Sequence, residues 1–179
     1  MRCFIGIQLP SYIKDALYGL QGMISNEYAK VKWVSKKNLH LTLKFLGQVD
    51  EKTLKLTREA LRNVNLKKFM VELRRIGWFP SSEKIRVIWV DLNPKKEILE
   101  AHGDIELRLG NLFTKDDRFE VHLTIGRVKL IKNKEKFLDI LKNIEVKMDS
   151  FLIDEFCLYK SELTKDGPIY TILEKYSMC

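Results

Sequence analysis

The chain has 179 residues, of which 45% are hydrophobic, so it can bury a core as one compact domain or two small lobes without disulfide bonds. Its 32 Lys and Arg residues outnumber 24 Asp and Glu residues, and the formal net charge of +8 favours an anionic partner. A lysine-rich surface exposed to solvent would give the same charge, so charge alone leaves both interpretations open.

The cysteines and the N-terminal segment predict a soluble, cytoplasmic protein. Cys3, Cys157 and Cys179 are odd in number and far apart, and they indicate neither a disulfide framework nor a zinc knuckle. Gln8 and Pro10 interrupt the N-terminal apolar stretch before a signal-peptide core can form. No apolar run approaches the length of a membrane span.

The first half of the chain predicts an alternation of strands and helices. Pro10 and Ser11 open a helix with apolar residues at helical spacing, and Asp50 is placed to cap a second helix. The predicted elements are a strand at 3–8, a helix from 11 through 24, strands at 31–34 and 39–45, and a helix from 50 to about 64.

The second half repeats this pattern more loosely. The predicted elements are strands at 69–76 and 85–90, a helix at 95–109, a strand at 119–128, a helix at 133–142, and strands at 146–159 and 169–176 joined by a polar loop at 160–168. No linker or low-complexity segment separates the halves. We therefore expect one α+β domain, 1–179, of two similar and tightly joined lobes.

A short repeat around two histidines is the most informative feature of the sequence. HLTL at 40–43 matches HLTI at 122–125, and the chain has only three histidines. Because side chains alternate along a strand, His40 and Thr42 are predicted on one face, opposite Leu41, Leu43 and Phe45. If a pseudo-twofold axis relates the halves, the two His/Thr pairs face each other across a cleft.

Two opposed imidazoles suit an in-line displacement at phosphorus. One ring takes a proton from the attacking oxygen and the other protonates the leaving oxygen, since the pKa of histidine lies near neutrality. The hydroxyls of Thr42 and Thr124 would donate to the non-bridging oxygens without a metal ion. Two alternatives stay open: structural histidines bonded to backbone, or a metal site, for which no His pair at i, i+4 and no Cys-x-x-Cys partner exists.

At these motifs the sequence resembles the two-histidine phosphoesterase superfamily, and more closely its RNA 2',3'-cyclic phosphodiesterase branch, also called 2'-5' RNA ligase or LigT. The resemblance covers essentially the whole chain and includes RCFIGIQLP, VKWVSKKNLHLTLKFLG, VHLTIGRV and LYKSELTKDGPIY. It implies two lobes, each an antiparallel sheet with outer helices, that flank a polar cleft and are related by a pseudo-twofold axis.

The resemblance also implies a reaction and roles for the motif residues. The reaction is hydrolysis of a terminal 2',3'-cyclic phosphate on RNA to a 2'-phosphomonoester, with the reverse joining of such an end to a 5'-hydroxyl. By motif position, His40 is the proton donor to the ribose 3'-oxygen, His122 is the proton acceptor that activates water, and Thr42 and Thr124 bind the phosphate. The symmetry of the two motifs gives no physical basis for choosing donor from acceptor.

The implied partner is an RNA with a cyclic phosphate end, tRNA fragments included, bound by a monomer without a cofactor, a metal or a membrane. Two other classes stay open. One is a basic RNA-binding module whose histidines are not catalytic, and the other is a phosphodiesterase for a small cyclic nucleotide. Five aromatic residues are candidates for stacking a base, and the sequence does not choose among them: Phe4, Trp33, Trp78, Trp89 and Tyr170.

Two basic residues are candidate substrate contacts. Arg127 matches the family's arginine after the second motif, but strict alternation puts it on the face opposite His122 unless a bulge intervenes near Gly126. Lys44 shares the predicted face of His40, where it would add positive potential. An ordinary surface position is the alternative for both residues.

His102 is the third histidine, and it belongs to the predicted helix at 95–109. It lies on or beside the apolar stripe that Ile98, Ile105 and Leu109 form. We therefore expect a packed structural histidine rather than a member of the site.

Overall fold

The computed structural model describes residues 1–24, 26–147 and 149–179, and these form two antiparallel sheets and four α-helices. Sheet A contains β1 (Arg2–Gln8), β3 (His40–Gln48), β8 (Glu155–Thr164) and β9 (Gly167–Ser177). Sheet B contains β2 (Ala29–Trp33), β4 (Phe69–Ser81), β5 (Lys84–Asn93), β6 (Leu123–Ile131) and β7 (Ser150–Ile153). The helices are α1 (Ser11–Met23), α2 (Glu51–Leu61), α3 (Lys96–Leu109) and α4 (Lys134–Asn143).

The two sheets share the same order of three strands. Sheet A has the strand order β3-β1-β8-β9, and sheet B has the order β2-β6-β5-β4-β7. The order β3-β1-β8 corresponds to β6-β5-β4, so each histidine motif lies at the start of an equivalent strand, β3 or β6. The expected α+β architecture of two sheets with helices is confirmed.

Helices α1 and α3 cross between the sheets, in the sense that each follows a strand of one sheet and packs on the other sheet. α1 follows β1 of sheet A but contacts β6 of sheet B, whereas α3 follows β5 of sheet B but contacts β3 of sheet A. Each sheet therefore receives a helix from the other half of the chain. This exchange brings polar side chains of α1 and α3 to the inner side of the two motif strands.

The predicted cap of α2 is present, and α4 has a cap of the same kind. The backbone N–H of Thr53 donates to Asp50 Oδ1 at 2.7 Å at the start of α2, and this bond lowers the pKa of the Asp50 carboxyl. At the start of α4, the N–H of Lys136 donates to Asn133 Oδ1 at 3.1 Å. These bonds satisfy backbone donors that a helix start otherwise leaves unpaired.

Several predicted boundaries are wrong, among them the end of the strand predicted at 69–76, which extends to Ser81. The polar loop at 160–168 is mostly strand, because β8 and β9 pair as far as Thr164 and Gly167 and leave their polar side chains in solvent. The predicted strand at 146–159 is interrupted at Asp154 and begins only at Ser150; Met148, inside that range, lies outside the described residues. The strand predicted at 119–128 begins at Leu123, after an irregular segment.

In the described residues, no helix combines the length and the apolar character needed to cross a membrane. Cys3 and Cys157 are buried, Cys179 is exposed, and all three are free thiols.

Candidate active site

His40 and His122 line one cleft, which has a volume of about 890 Å³ and receives residues from both sheets. Thr42 and Thr124 line the same cleft. The four motif side chains, 82 residues apart in sequence, therefore face one space as the repeat predicts. A cleft of this size is in the range of small-molecule and cofactor sites.

Each catalytic candidate is oriented by a backbone carbonyl two residues before it. His40 Nδ1 lies 2.6 Å from Asn38 O, and His122 Nδ1 lies 2.7 Å from Glu120 O. A carbonyl oxygen only accepts, so Nδ1 carries the hydrogen in both rings. Nε2 is then the atom that accepts a proton from the neutral ring or releases one from the cation, which makes both imidazoles competent for proton transfer.

The His40 ring lies against three aromatic rings of sheet A. Its centroid is 4.8 Å from that of Phe4 and 5.1 Å from that of Tyr170, with Tyr159 behind them. This burial lowers the pKa of His40, and nearby Lys14 lowers it further, while the bond to Asn38 O opposes the shift. The neutral ring is therefore favoured at pH 7.

Neutral His40 is paired with its own motif threonine. His40 Nε2 lies 2.9 Å from Thr42 Oγ1, and with the hydrogen on Nδ1 the Thr42 hydroxyl is the donor. The Thr42 hydroxyl must turn from His40 to a phosphate oxygen if it is to bind substrate.

We expect NMR titration of the free protein to give a His40 midpoint below about 6.5, the ordinary value for histidine. The reason is the burial of the ring beside Phe4 and Tyr170. Adding inorganic phosphate should raise that midpoint, since an anion beside the ring stabilises the cation. A His40→Asn variant assigns the resonance. A midpoint at or above 6.5, or no rise with phosphate, would contradict this account.

His122 has a different aromatic environment. The edge of Phe79 meets the ring at a centroid distance of 5.1 Å, and Trp89 lies 6.4 Å away while stacking on Phe79. Both residues come from sheet B, from the hairpin of β4 and β5. The two histidines are thus equivalent in motif and backbone bonding but not in surroundings.

A β-bulge in β3 overturns two predictions about the residues after the first motif. Ile5 pairs with Lys44 and Gly6 with Thr42, so Leu43 is an extra residue in β3. The extra residue shifts the alternation by one position. Lys44 therefore turns to the helix side, where it is 2% exposed, and Phe45 turns into the cleft, where it is 69% exposed. The predicted placement of Lys44 in the cleft and of Phe45 in the core is wrong.

Lys44 belongs to a buried polar cluster instead. Its Nζ donates to Glu106 Oε1 at 2.5 Å and to Thr114 O at 3.0 Å. The same Glu106 oxygen accepts from the N–H of Asp116 at 3.4 Å. The lysine thus joins β3 to α3 and to the segment that leads into the second motif.

An equivalent bulge in β6 brings Arg127 into the cleft. Ile88 pairs with Gly126 and Trp89 with Thr124, so Ile125 is the extra residue. Arg127 is exposed and lines the cleft together with His122. The bulge that Arg127 requires is therefore present, one residue before Gly126. By motif position Arg127 corresponds to Phe45, since each is the fifth residue after its histidine.

The wall from sheet B is positively charged. Lys32 pairs with Arg127 across β2 and β6, and both line the cleft with Lys129. None of these three side chains forms an ion pair with any part of the chain that the structure describes. Asp166 is an acidic residue of the lining. The cleft therefore combines an aromatic wall from sheet A with a cationic wall from sheet B that also carries aromatic rings, and this arrangement suits an anionic ligand with a ring.

Among the described residues, no three His, Cys, Asp or Glu side chains lie close enough together to hold a metal ion. His102, the third histidine, is 8% exposed and stacks on Phe119 at 3.9 Å. It is a packed residue of α3 and does not line the cleft. Its predicted structural character is confirmed.

Of the five aromatic candidates for base stacking, Phe4, Trp33 and Tyr170 line the cleft. Sequence reasoning missed Phe45 and Phe79, which also line it. Phe79 had no signal in the sequence. For Phe45 a signal existed: the bulge that Arg127 needs, applied to the matching position of the first motif, turns Phe45 inward.

Comparison with known proteins gives consistent matches over the whole chain. The model of the family described as LigT like phosphoesterase matches residues 7–89 and again 90–170. An RNA 2',3'-cyclic phosphodiesterase of Methanocaldococcus jannaschii is 40% identical, covering 98% of this chain and all of that one. A protein of the same name from Methanothermobacter thermautotrophicus is 30% identical, covering 99% of each chain.

Solved structures show the same fold. The crystal structure of a Thermus thermophilus protein has a TM-score of 0.77 at 29% identity, covering 99% of this chain and 97% of its own. The apo structure of E. coli LigT also has a TM-score of 0.77, at 22% identity, with 99% and 96% covered.

Proposed function

This chain belongs to the LigT like phosphoesterase family, and from that premise we propose that it hydrolyses a 2',3'-cyclic phosphate at the end of an RNA to a 2'-phosphomonoester. The observation that carries the proposal is the pair of cleft-lining imidazoles, each with Nδ1 bonded to a carbonyl and Nε2 left for proton transfer. The relatives named RNA 2',3'-cyclic phosphodiesterase support the choice of substrate.

The proposed step is an in-line attack by water on phosphorus. His122 Nε2 accepts the proton from the water as the new P–O bond forms. The bond from phosphorus to the ribose 3'-oxygen breaks, and protonated His40 gives its Nε2 hydrogen to that oxygen. The products are a 2'-phosphate and a free 3'-hydroxyl, and the two rings have exchanged protonation states. The same transfers with a 5'-hydroxyl in place of water break the same bond to the 3'-oxygen and join two RNA ends through a 2'-5' linkage.

The negative charge of the substrate phosphate favours the protonated form of His40 that the proposed mechanism requires. Burial lowers the pKa of His40 and so favours its neutral form, whereas the donor role requires the cation. A phosphate between the two rings raises the pKa of His40 and so creates the donor form where it is used. Thr42, Thr124 and Arg127 then donate hydrogen bonds to the non-bridging oxygens, where negative charge increases in the transition state.

The test uses an oligoribonucleotide with a 2',3'-cyclic phosphate end, incubated with the protein in EDTA. We expect loss of the cyclic end and formation of a 2'-phosphate, identified by its resistance to an enzyme that removes only 3'-phosphates. RNA binding with an intact end would favour the non-catalytic module. Turnover of 2',3'-cyclic AMP but not of the oligonucleotide would favour the small-nucleotide enzyme, and loss of activity in EDTA would favour a metal site.

Phe45 is the proposed platform for the terminal base. Its ring is 69% exposed on the aromatic wall, beside Phe4 at a centroid distance of 6.2 Å. Stacking a base on an aromatic side chain contributes about 1–3 kcal/mol, so Phe45→Ala should raise KM for the cyclic-ended RNA by roughly 5- to 150-fold. Phe45→Tyr should keep a KM near that of the wild type.

A substrate without the terminal base gives the matched control. The ratio of KM values between Phe45→Ala and the wild type should fall to about one on an abasic 2',3'-cyclic phosphate end, because no ring remains to be stacked. An equal effect on both substrates would mean that Phe45 acts through packing and not through the base.

The same proposal covers the setting of the reaction. We infer a cytoplasmic monomer that acts on RNA fragments with cyclic ends, tRNA fragments among them, and needs no cofactor. Sedimentation of the purified protein tests the monomer, and sequencing of RNA captured through its cyclic ends, with and without the enzyme, tests the fragments.

A further inference from the structure

Two buried polar side chains reach the motif strands from the helix side. Gln21 of α1 is 4% exposed, and its Nε2 donates to Ile125 O at 2.9 Å and to Val34 O at 2.9 Å. His102 of α3 is 8% exposed, and its Nδ1 lies 2.9 Å from Leu43 O, to which it donates. Neither residue itself lines the cleft.

The two acceptors occupy the same position in the repeat. Leu43 and Ile125 are both the fourth residue of their motif, and each is the extra residue of its β-bulge. α1 and α3 are the helices that cross between the sheets, so each half of the chain supplies the donor for the bulge in the other half.

A bulge residue leaves the regular ladder, and its buried carbonyl then needs a donor from elsewhere. β3 is the edge strand of sheet A, so the ladder offers Leu43 O no second strand on its outer side. At β6 the N–H of Val34 also donates to Ile125 O at 2.9 Å, and Gln21 closes the same junction by bonding both Ile125 O and Val34 O.

The bulge decides which residue enters the cleft. With Leu43 as the extra residue, Phe45 faces the cleft, and with Ile125 as the extra residue, Arg127 does. Loss of the bulge would restore strict alternation, which would turn the fifth residue after the histidine to the other face.

We propose that Gln21 and His102 are positioning residues that hold the two bulges, and thereby keep Arg127 and Phe45 in the cleft. Gln21 acts through Arg127, and His102 acts through Phe45. The inference rests on the proposed function only for its kinetic readout.

The test is a pair of double-mutant cycles on the cyclic-ended RNA. Gln21→Met and His102→Met remove the donor from a side chain of similar bulk. Each should raise KM about tenfold, which corresponds to the loss of its hydrogen bond to the bulge carbonyl, with a smaller change in kcat. In an Arg127→Ala background, Gln21→Met should change KM less than about twofold, while in a Phe45→Ala background its full effect should persist. His102→Met should show the opposite pattern.

The crossed pattern separates positioning from general stability. A variant that only weakens the fold would combine with Arg127→Ala and with Phe45→Ala in the same way. His102→Gln, which keeps an N–H donor, should recover most of the wild-type KM. Additive effects in all four combinations, or an unchanged KM in both single variants, would overturn the proposal.

A second measurement does not depend on activity. Amide hydrogen exchange near the β6 bulge should accelerate in Gln21→Met and stay unchanged in β3, with the reverse in His102→Met. Wild-type protein that is inactive on every cyclic-ended substrate would refute the proposed function alone. Exchange that changes equally in both strands, or in neither, would refute the positioning role alone.

Discussion

Replacing His40 or His122 with alanine is expected to lower kcat on a cyclic-ended RNA by about 10²- to 10⁴-fold, the usual contribution of one general acid or base. In the proposed mechanism each ring supplies a proton transfer that the other polar groups of the two motifs, the hydroxyls of Thr42 and Thr124, do not replace. The loss in each alanine variant is measured by single-turnover hydrolysis, with urea unfolding as the check that the variants are folded.

A sulfur-containing substrate separates donor from acceptor. With sulfur in place of the ribose 3'-oxygen, the leaving thiol has a pKa of about 8.5 and leaves without protonation. His40→Ala should then regain a rate within about tenfold of the wild type, while His122→Ala stays inactive because the water still needs a base. Rescue of His122→Ala in place of His40→Ala would reverse the two roles, and rescue of neither would reject acid catalysis at the leaving oxygen.

The second large effect concerns stability. Lys44→Met should lower the free energy of unfolding by about 3–5 kcal/mol, because Glu106 would remain as a buried carboxylate without its cation. Lys44 and Glu106 are 2% and 8% exposed, so water does not replace the lost partner. Urea denaturation of the variant measures the change.

Two controls accompany this measurement. The double variant Lys44→Met/Glu106→Leu should recover more than half of the loss, since a buried ion pair replaced by apolar groups is often close to neutral. Lys134→Met removes an exposed lysine bonded to Glu83 at 2.7 Å and should change stability by less than about 1 kcal/mol. A Lys44→Met effect as small as that of Lys134→Met would show that Lys44 contributes no buried pair.

The histidine pairs were predictable because their neighbours leave the strand little freedom. Leu41 and Leu123 must be buried, so the side chains on either side of each of them must face the other way, and both leucines are fully buried. Residue type and spacing in two four-residue segments were therefore enough to place four side chains in one cleft.

Strict alternation stops holding at Leu43, directly after the first His/Thr pair. A bulge adds a residue without a signature in residue type, so Lys44 and Phe45 exchange the faces predicted for them. The sequence indicated the need for a bulge only at Arg127, where a family match and the strand alternation disagreed. Lys44 also owes its burial to Glu106, 62 residues away, and no local pattern reports a partner at that distance.

The repeat in the sequence predicts two similar halves but not how the helices are distributed between the two sheets. The repeat predicts two equivalent motif strands, and β3 and β6 are equivalent in sheet order. Local sequence does not say which sheet a helix will cover, because an amphipathic face fits any apolar surface of the right shape. The crossing of α1 and α3 therefore depends on tertiary packing between the helices and both sheets, which local sequence does not encode.

That crossing has a consequence for folding. A fragment that ends between β4 and β5 contains β3 without α3, and its complement contains β6 without α1, so each fragment lacks the helix that packs on its own motif strand. We therefore expect each lobe to depend on the other, so that heat or urea unfolds both in a single transition with no half-folded species. The internal repeat thus makes the two lobes similar in structure, but we expect them to fold and unfold together as one cooperative unit.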